Sequence, residues 1–393
     1  MLGATQRNAI RAGGRTLETV LNHAQTQRRW LSASSALRAG HLVTFSGSSS
    51  KELQDVLDTL YTRIVLPSYL PIDQQKKIYN NKHKQTLEND PITMEIDGVV
   101  HKFRYVDRMT LPNTQELVRQ AIKLIKTGGD FNNVPKVLEG LVHANRDVDP
   151  TTFCKLIRKA MLADRLDVII NSVRAVKRTG FKLDRSEIIN ELLVAIQTRA
   201  IRHGFDKKWT EHALKQTQDI ISLLESNADL HKTKEAALKH PFYQDPLVLA
   251  ARLHMAAAFA VHHQDGKDVN GKVTKLAEEL MFFWNEGKGV LDLYPEGAYT
   301  ERNKMRYLLN RNNFLYHISP VLNGLSLAAQ VVDAGLAMQL QNRADAVDAE
   351  IRDALQSKER KPGGRGEQMY NWIFNPEAPT EAELEAQAEE ASA

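Results

Sequence analysis

The sequence predicts an all-α fold, an irregular α-solenoid of helix-turn-helix pairs carrying one small N-terminal β-hairpin, with a compact single-core helical bundle as the competing reading. Three observations lead there. From Ser50 onward the apolar residues recur mostly at i, i+3, i+4 and i+7, the spacing of one helix face. Two alternating β-prone runs meet at one place only, across an Asp-Gly turn. No strand-helix-strand series occurs, which argues against a parallel sheet with a nucleotide crevice.

Each element follows in order. Leu53, Val56, Leu57, Leu60 and Ile64 define the first helix, with Ser50 as its N-cap and Pro67 and Pro71 ending it. A short polar helix is expected over Asp73–Leu87. Ile92–Ile96 and Val99–Phe103 then form the hairpin, because Asp97-Gly98 accepts the positive φ of a tight turn. From about Gln115 to Leu355 the chain reads as helix pairs: Ser186–His203 with Trp209–Glu225, Pro246–His263 with Val269–Glu286, and Arg302–Ile318 with Pro320–Leu340. Lys361–Gly366 reads as a flexible break, and Tyr370–Phe374 as a short apolar cluster beyond it.

Composition bounds the function. With 42% hydrophobic and 25% charged residues, the 393-residue chain can bury a large core. No run approaches the roughly 20 consecutive apolar residues of a membrane span, so an integral membrane segment is excluded. One cysteine, Cys154, makes no internal disulfide and no thiolate zinc site, which fits a reducing compartment.

The charge is partitioned. Residues 1–40 hold six Arg, no Lys and one acid, Glu18, while residues 377–393 hold six Glu and no base. An Arg-rich, acid-poor leader with Arg7, Arg11 and Arg15 on one helical side has the composition of a mitochondrial transit peptide. Arg28-Arg29-Trp30-Leu31-Ser32 resembles its processing site. Residues 1–38 are therefore read as a leader and the protein is placed in the mitochondrial matrix. A basic arm that binds nucleic acid is the competing reading. The remaining domains are expected at 39–110 (helices and hairpin), 111–356 (helical repeats) and 357–393 (flexible extension with an acidic tail).

Motifs for chemistry are missing. GxxxxGK[ST], GxGxxG and HExxH do not occur. His254, His262 and His263 lack carboxylates at ligand spacing and read as partly exposed helix residues. Phe282-Phe283-Trp284 reads as solenoid core. No catalytic residue, metal or cofactor is expected, and the chain is read as a non-enzyme.

The clearest internal unit is Pro150–Asp184. Thr152-Phe153 and Leu156-Ile157 on a first helix, Arg165-Leu166-Asp167 at the turn and Lys177–Asp184 at the end make it resemble a pentatricopeptide repeat. Asp164 and Leu183 stand where that family usually has Gly and often Pro. Gln115–Asp149 fits the same frame more loosely, with Gly128-Gly129 at the inter-helix turn. The resemblance implies base-facing slots at Arg119 with Asp149, and at Cys154 with Asp184. Lys123 and Arg158 fall one turn further along the same faces, with Lys126 close by. Between Gln115 and Lys208 stand 18 Lys and Arg against 11 Asp and Glu, a surplus suited to phosphates. Arg119, Lys123, Lys126, Arg158, Cys154 and Asp184 are thus the candidate RNA-binding residues.

Arg119 and Cys154 depart from the Asn, Thr or Ser by which the family selects bases, and two repeats read little RNA. The favoured expectation is a structural component of the mitochondrial ribosome, bound to rRNA and to ribosomal proteins. The alternatives are a free RNA factor acting on a mitochondrial mRNA with other gene-expression proteins, and a scaffold for respiratory-complex assembly.

Overall fold

A computed structural model of the chain describes residues 42–96, 98–232, 240–300 and 305–376. The leader, its processing site and the acidic tail lie outside the described residues. Sixteen α-helices and one antiparallel strand pair occur among them, so the all-α expectation holds. The chain divides into two compact units, one built on Pro67–Leu111 and the other on Val43–Leu66 with the chain from Pro112 onward.

The smaller unit contains helices α2 (Ile72–Ile78) and α3 (Lys84–Asn89), then strands β1 (Ile92–Ile96) and β2 (Val99–Phe103). The expected polar helix over Asp73–Leu87 is in fact two. Asn80 separates them, its side chain accepting from the Lys82 N–H at 3.0 Å and opening a 3₁₀ turn over Asn81–His83. That local bond competes with helix continuation. The strand register runs from Ile92 opposite Phe103 to Ile96 opposite Val99, as the turn position dictates, with Gly98 at φ 79°.

The larger unit starts with α1 (Lys51–Leu60), capped by the Ser50 hydroxyl, which accepts from Leu53 N–H. It then runs through a π-helical turn at Tyr61–Val65. Helices α4 (Thr114–Leu124), α5 (Val134–His143), α6 (Pro150–Leu162), α7 (Leu166–Arg174) and α8 (Val176–Thr179) follow. Neighbours pack in succession: α1 on α4, α4 on α6, and α6 on α9 (Ser186–Arg202). Gly140 of α5 allows close approach to the π turn, since a Cβ there would lie 2.8 Å from a Val65 methyl. Asp164, the departure from glycine at the repeat turn, itself adopts the left-handed conformation at φ 56°. Asp tolerates that region better than most side chains.

Helix α9 is the centre of the unit. All its residues but Glu187, Arg199 and Arg202 are buried, because α6, α10 (Lys207–Ser226), α11 (Pro246–His263), α14 (Arg311–Ala329) and α16 (Arg365–Phe374) surround it. A helix without a polar stripe needs such cover. Helix α12 (Lys272–Phe283), the short α13 (Gly297–Thr300) and α15 (Ala334–Gln356) complete the order, with α12 and α14 both against α15.

Four expectations need correction. Pro320 does not separate two helices. It lies inside α14, which runs unbroken from the Asn310 cap to Ala329. An interior proline costs about 3 kcal/mol. Buried Phe314, Leu315, Ile318, Val321, Leu322 and Leu325 on both sides of it each contribute about 1.5–3 kcal/mol only if the helix continues. The actual break falls before Asp333, whose carboxylate accepts from the Gly335 and Leu336 N–H groups. Next, Val269–Glu286 shortens to α12 behind a 3₁₀ turn, since Asn270 and Gly271 take positive φ. Of Phe282-Phe283-Trp284 only Trp284 is fully buried, and Phe282 is 81% exposed. Finally, Tyr370–Phe374 belongs to α16, which packs along α14 where a cluster beyond a flexible break was expected.

Candidate nucleic-acid interface

The proposed base-reading slots come from α4, α6 and the residues that cap them. Asp149 is the N-cap of α6: its Oδ1 accepts from the Thr152 N–H at 2.7 Å and the Thr151 hydroxyl at 2.8 Å. Its Oδ2 accepts from Arg119 Nη2 at 2.6 Å. Burial raises the Asp149 pKa, but the bonds from Thr152, Thr151 and Arg119 outweigh it and hold the carboxyl at about 2. The first predicted slot pair therefore does meet, as an ion pair in which each charge answers the other. The second does not present itself to a ligand. Cys154 has no exposed surface and Asp184 is 9% exposed. Burial, then Glu187 and Glu191, push the Cys154 thiol well up, so it is a neutral core group.

The four predicted bases divide. Lys123 and Lys126 are exposed and form no ion pair among the described residues. The Lys126 N–H is bonded to Asp130, but its side chain is not engaged there. Arg119 faces Asp149 and, at 3.7 Å, Glu116. Arg158 is turned inward, its Nη1 3.1 Å from Glu191, a carboxylate with 1% side-chain exposure. Of the four bases expected to face solvent, Lys123 and Lys126 thus stay outside ion pairs among the described residues.

Glu191 is the residue that sequence reasoning missed. It sits in the middle of α9 and gathers Arg158 from α6, Arg365 from α16 and His317 from α14. Arg365 Nη1 lies 2.8 Å from Oε1 and 3.2 Å from Oε2. Its Nη2 donates to Asn313 at 2.7 Å, and the guanidinium lies 4.3 Å from the centre of the Tyr316 ring. Burial, then Arg365 and Arg158, push the His317 pKa well down, so two arginines answer this carboxylate and His317 stays neutral. The sequence signal was weak, a Glu directly before the apolar run Leu192–Ile196 of a helix that also carries Glu187, Asn190, Gln197 and two arginines.

A second such device is Asp130, which accepts from Ser49 N–H (2.8 Å), Ser49 hydroxyl (2.7 Å), Lys126 N–H (3.1 Å) and Thr127 N–H (2.9 Å). Burial alone would raise its pKa, yet these four donors hold it well below the usual carboxylate range. With Asn133, which exchanges two bonds with the Ser46 backbone, it ties the lead-in segment to the turn between α4 and α5.

The histidines are structural. His254 is fully buried, contrary to the partly exposed place expected for it. Its Nδ1 is 2.7 Å from Gln197 Oε1 and its Nε2 is 3.0 Å from Asn323 Nδ2. Burial and then His262 push its pKa down to about 3. A neutral ring that donates from Nδ1 and accepts at Nε2 satisfies both neighbours. His262 stacks on Phe205, and His263 bonds the Phe205 carbonyl at 2.7 Å. No group of three His, Cys, Asp or Glu able to hold a metal occurs among the described residues. No helix among them is long and apolar enough to cross a membrane.

The family model described as mitochondrial ribosomal protein mS27 matches residues 29–372. The chain belongs to this family. The small ribosomal subunit protein mS27 of Neurospora crassa is 36% identical over 394 residues, covering 95% of this chain and 99% of that protein. The mS27 match takes in the hairpin unit, both repeat-like blocks and α16 as far as Trp372. The Arg365–Glu191 tie thus lies inside the family's span.

Proposed function

We propose that this chain is a non-enzymatic structural component of the small subunit of the mitochondrial ribosome, working in the matrix and binding rRNA and neighbouring ribosomal proteins. The observation that carries this is the mS27 family match over residues 29–372, together with a curated relative that carries the small-subunit name. Pentatricopeptide-type pairing of Gln115–Asp149 and Pro150–Asp184 supplies the scaffold, and Lys123 and Lys126 supply phosphate contacts on it. Such contacts give affinity without sequence choice. That suits a subunit held in one place by its whole surroundings. The buried Cys154 and the paired Arg119 argue against a free factor that reads transcripts base by base.

Sedimentation of the tagged protein from a mitochondrial lysate tests this. It should travel with the small subunit and shift to the top of the gradient after RNase digestion. Sedimentation as a free chain without RNase would overturn the reading.

A further inference from the structure

Three tryptophans lie among the described residues, and two of them remain partly exposed. Trp284 is fully buried. Trp209 and Trp372 both sit beside the C-terminal end of α9, and each carries cations. The Arg199 guanidinium lies 4.1 Å and the Lys208 ammonium 5.0 Å from the centre of the Trp209 ring. The exposed His203 imidazole stacks on the same indole at 4.7 Å and 17°. Arg202 lies 5.5 Å from the centre of the Trp372 ring.

The local sequence explains the convergence. Arg199, in the last turn of α9, and His203, its C-cap, are four residues apart and share a face. Gly204 (φ 59°) and Phe205 (φ 56°) reverse the chain in left-handed conformations. Asp206 then caps α10, accepting from the Lys208 N–H at 3.0 Å, which sets Lys207, Lys208 and Trp209 in its first turn.

The charge there is not balanced. Two lysines at a helix N-terminus oppose the macrodipole, and α10 has no acid in its first turn. Asp164, 2.6 Å from Arg199, answers that one cation. Arg202, Lys207 and Lys208 form no ion pair among the described residues. From 199 to 215 the chain carries five Lys and Arg against Asp206 and Glu211. Cations without a carboxylate partner among the described residues, two of them set against the α10 dipole, beside stacked rings at the surface, mark a surface made for an anionic ligand that also has flat faces.

We infer that the α9–α10 turn is a contact for single-stranded RNA. Arg202, Lys207 and Lys208 take backbone phosphates, and His203, held flat by Trp209, stacks an unpaired base. This rests on the ribonucleoprotein reading above, but it lies outside the two repeat-like blocks and uses none of their slots. An acidic protein surface would satisfy the cations and leave the stacked rings without a role. Base stacking on aromatic platforms flanked by cations is how single strands are held without sequence choice.

Binding of a fluorescent uridine-rich 20-mer and of a duplex of equal length to the full chain, across a salt series, tests this. In the Arg202→Gln/Lys207→Gln/Lys208→Gln variant, single-strand binding should lose about 2 in salt slope, at about 0.7 for each contact removed. His203→Ala should bind about fivefold or more weakly with its slope unchanged, and His203→Phe should recover wild-type affinity. These side chains are exposed, so helical content by circular dichroism should not move. Wild-type affinity and slope in the triple variant would overturn the contact. If a Lys123→Gln/Lys126→Gln variant then binds more weakly, RNA is held elsewhere and the ribonucleoprotein reading stands. Wild-type affinity in His203→Ala would overturn the stacked base, and binding of the duplex as tightly as the single strand would overturn the single-strand assignment. A wild-type chain that binds neither RNA overturns the contact, and gradient sedimentation as a free chain would overturn the underlying reading as well.

Discussion

The hairpin-bearing unit and the helical unit differ in where their apolar surface goes. Ile72 (70%), Val99 (56%), Val100 (51%) and Met109 (91%) are all exposed within Pro67–Leu111, while the far longer helical unit leaves six large apolar side chains exposed among the described residues. A two-stranded sheet encloses no volume and is marginal in water. The helices of the larger unit bury their apolar side chains against one another in large cores. The helical unit is therefore held by its own core and buried ion pairs, whereas the hairpin has faces to offer a partner.

Removing the carboxylate at the centre of α9 is the strongest way to test that difference. Glu191→Ala leaves Arg158, Arg365 and Cys154 around an empty site. Breaking a buried pair costs about 3–5 kcal/mol, and the partial exposure of both arginines puts this case near 3 kcal/mol. Urea unfolding should show that loss, with α16 becoming sensitive to protease. A variant as stable as wild type would mean that α16 is held by its other contacts, the Arg365–Asn313 bond and the packing of buried Met369 against Tyr316.

Acid comes next, because two buried groups in the helical unit oppose each other. Burial pushes Asp245 up to about 6, against the lowering bonds from Tyr294 and the Leu247 and Val248 N–H groups. Folded Asp245 holds a proton that the unfolded chain releases down to about 3.8, so its contribution is present below that pH and lost as pH rises through 6. His254 works the other way. Its contribution is present above 6.5 and lost as pH falls towards 3. Between pH 6 and 4.5 the two largely cancel. Asp245→Asn removes one side, so the variant should lose about 2 kcal/mol more than wild type over that interval, at 1.36 kcal/mol per pH unit. Parallel pH profiles of urea midpoints for the two proteins would refute the cancellation.

The smallest effect belongs to the hairpin. Gly98→Ala at φ 79° should cost about 1 kcal/mol and speed amide exchange across Ile92–Phe103. The urea midpoint followed by the buried Trp284 should stay put. A matching shift there would show that the two units unfold together and would erase the contrast. Incorporation into the ribosome should protect Ile92–Phe103 from protease relative to the free chain, and equal cleavage would deny the hairpin a partner.

Local rules carried much of the fold. Ser50 caps its helix, Pro246–His263 begins and ends where the sequence reading puts it, and the hairpin has the register its Asp-Gly turn requires. Caps, turns and periodicity act over three to eight residues and are legible without tertiary context. Pro320 misled because its local cost was outweighed by contacts with helices distant in sequence.

The sequence by itself determined that the chain is mostly helical, where several helices are capped, where the hairpin turns, and that the middle of the chain carries surplus positive charge. Only the tertiary structure decided what those charges do. Arg158 meets Glu191 across 33 residues and Arg365 meets it across 174, so no local pattern announces that one base is spent inside while Lys123 stays outside. Burial decided likewise for Cys154 and His254, which helical position alone leaves free to face either way. A charge becomes a binding group or a structural tie according to which opposite charge the fold brings within about 4 Å, and that distance is set by packing between helices, not by the order of residues along one.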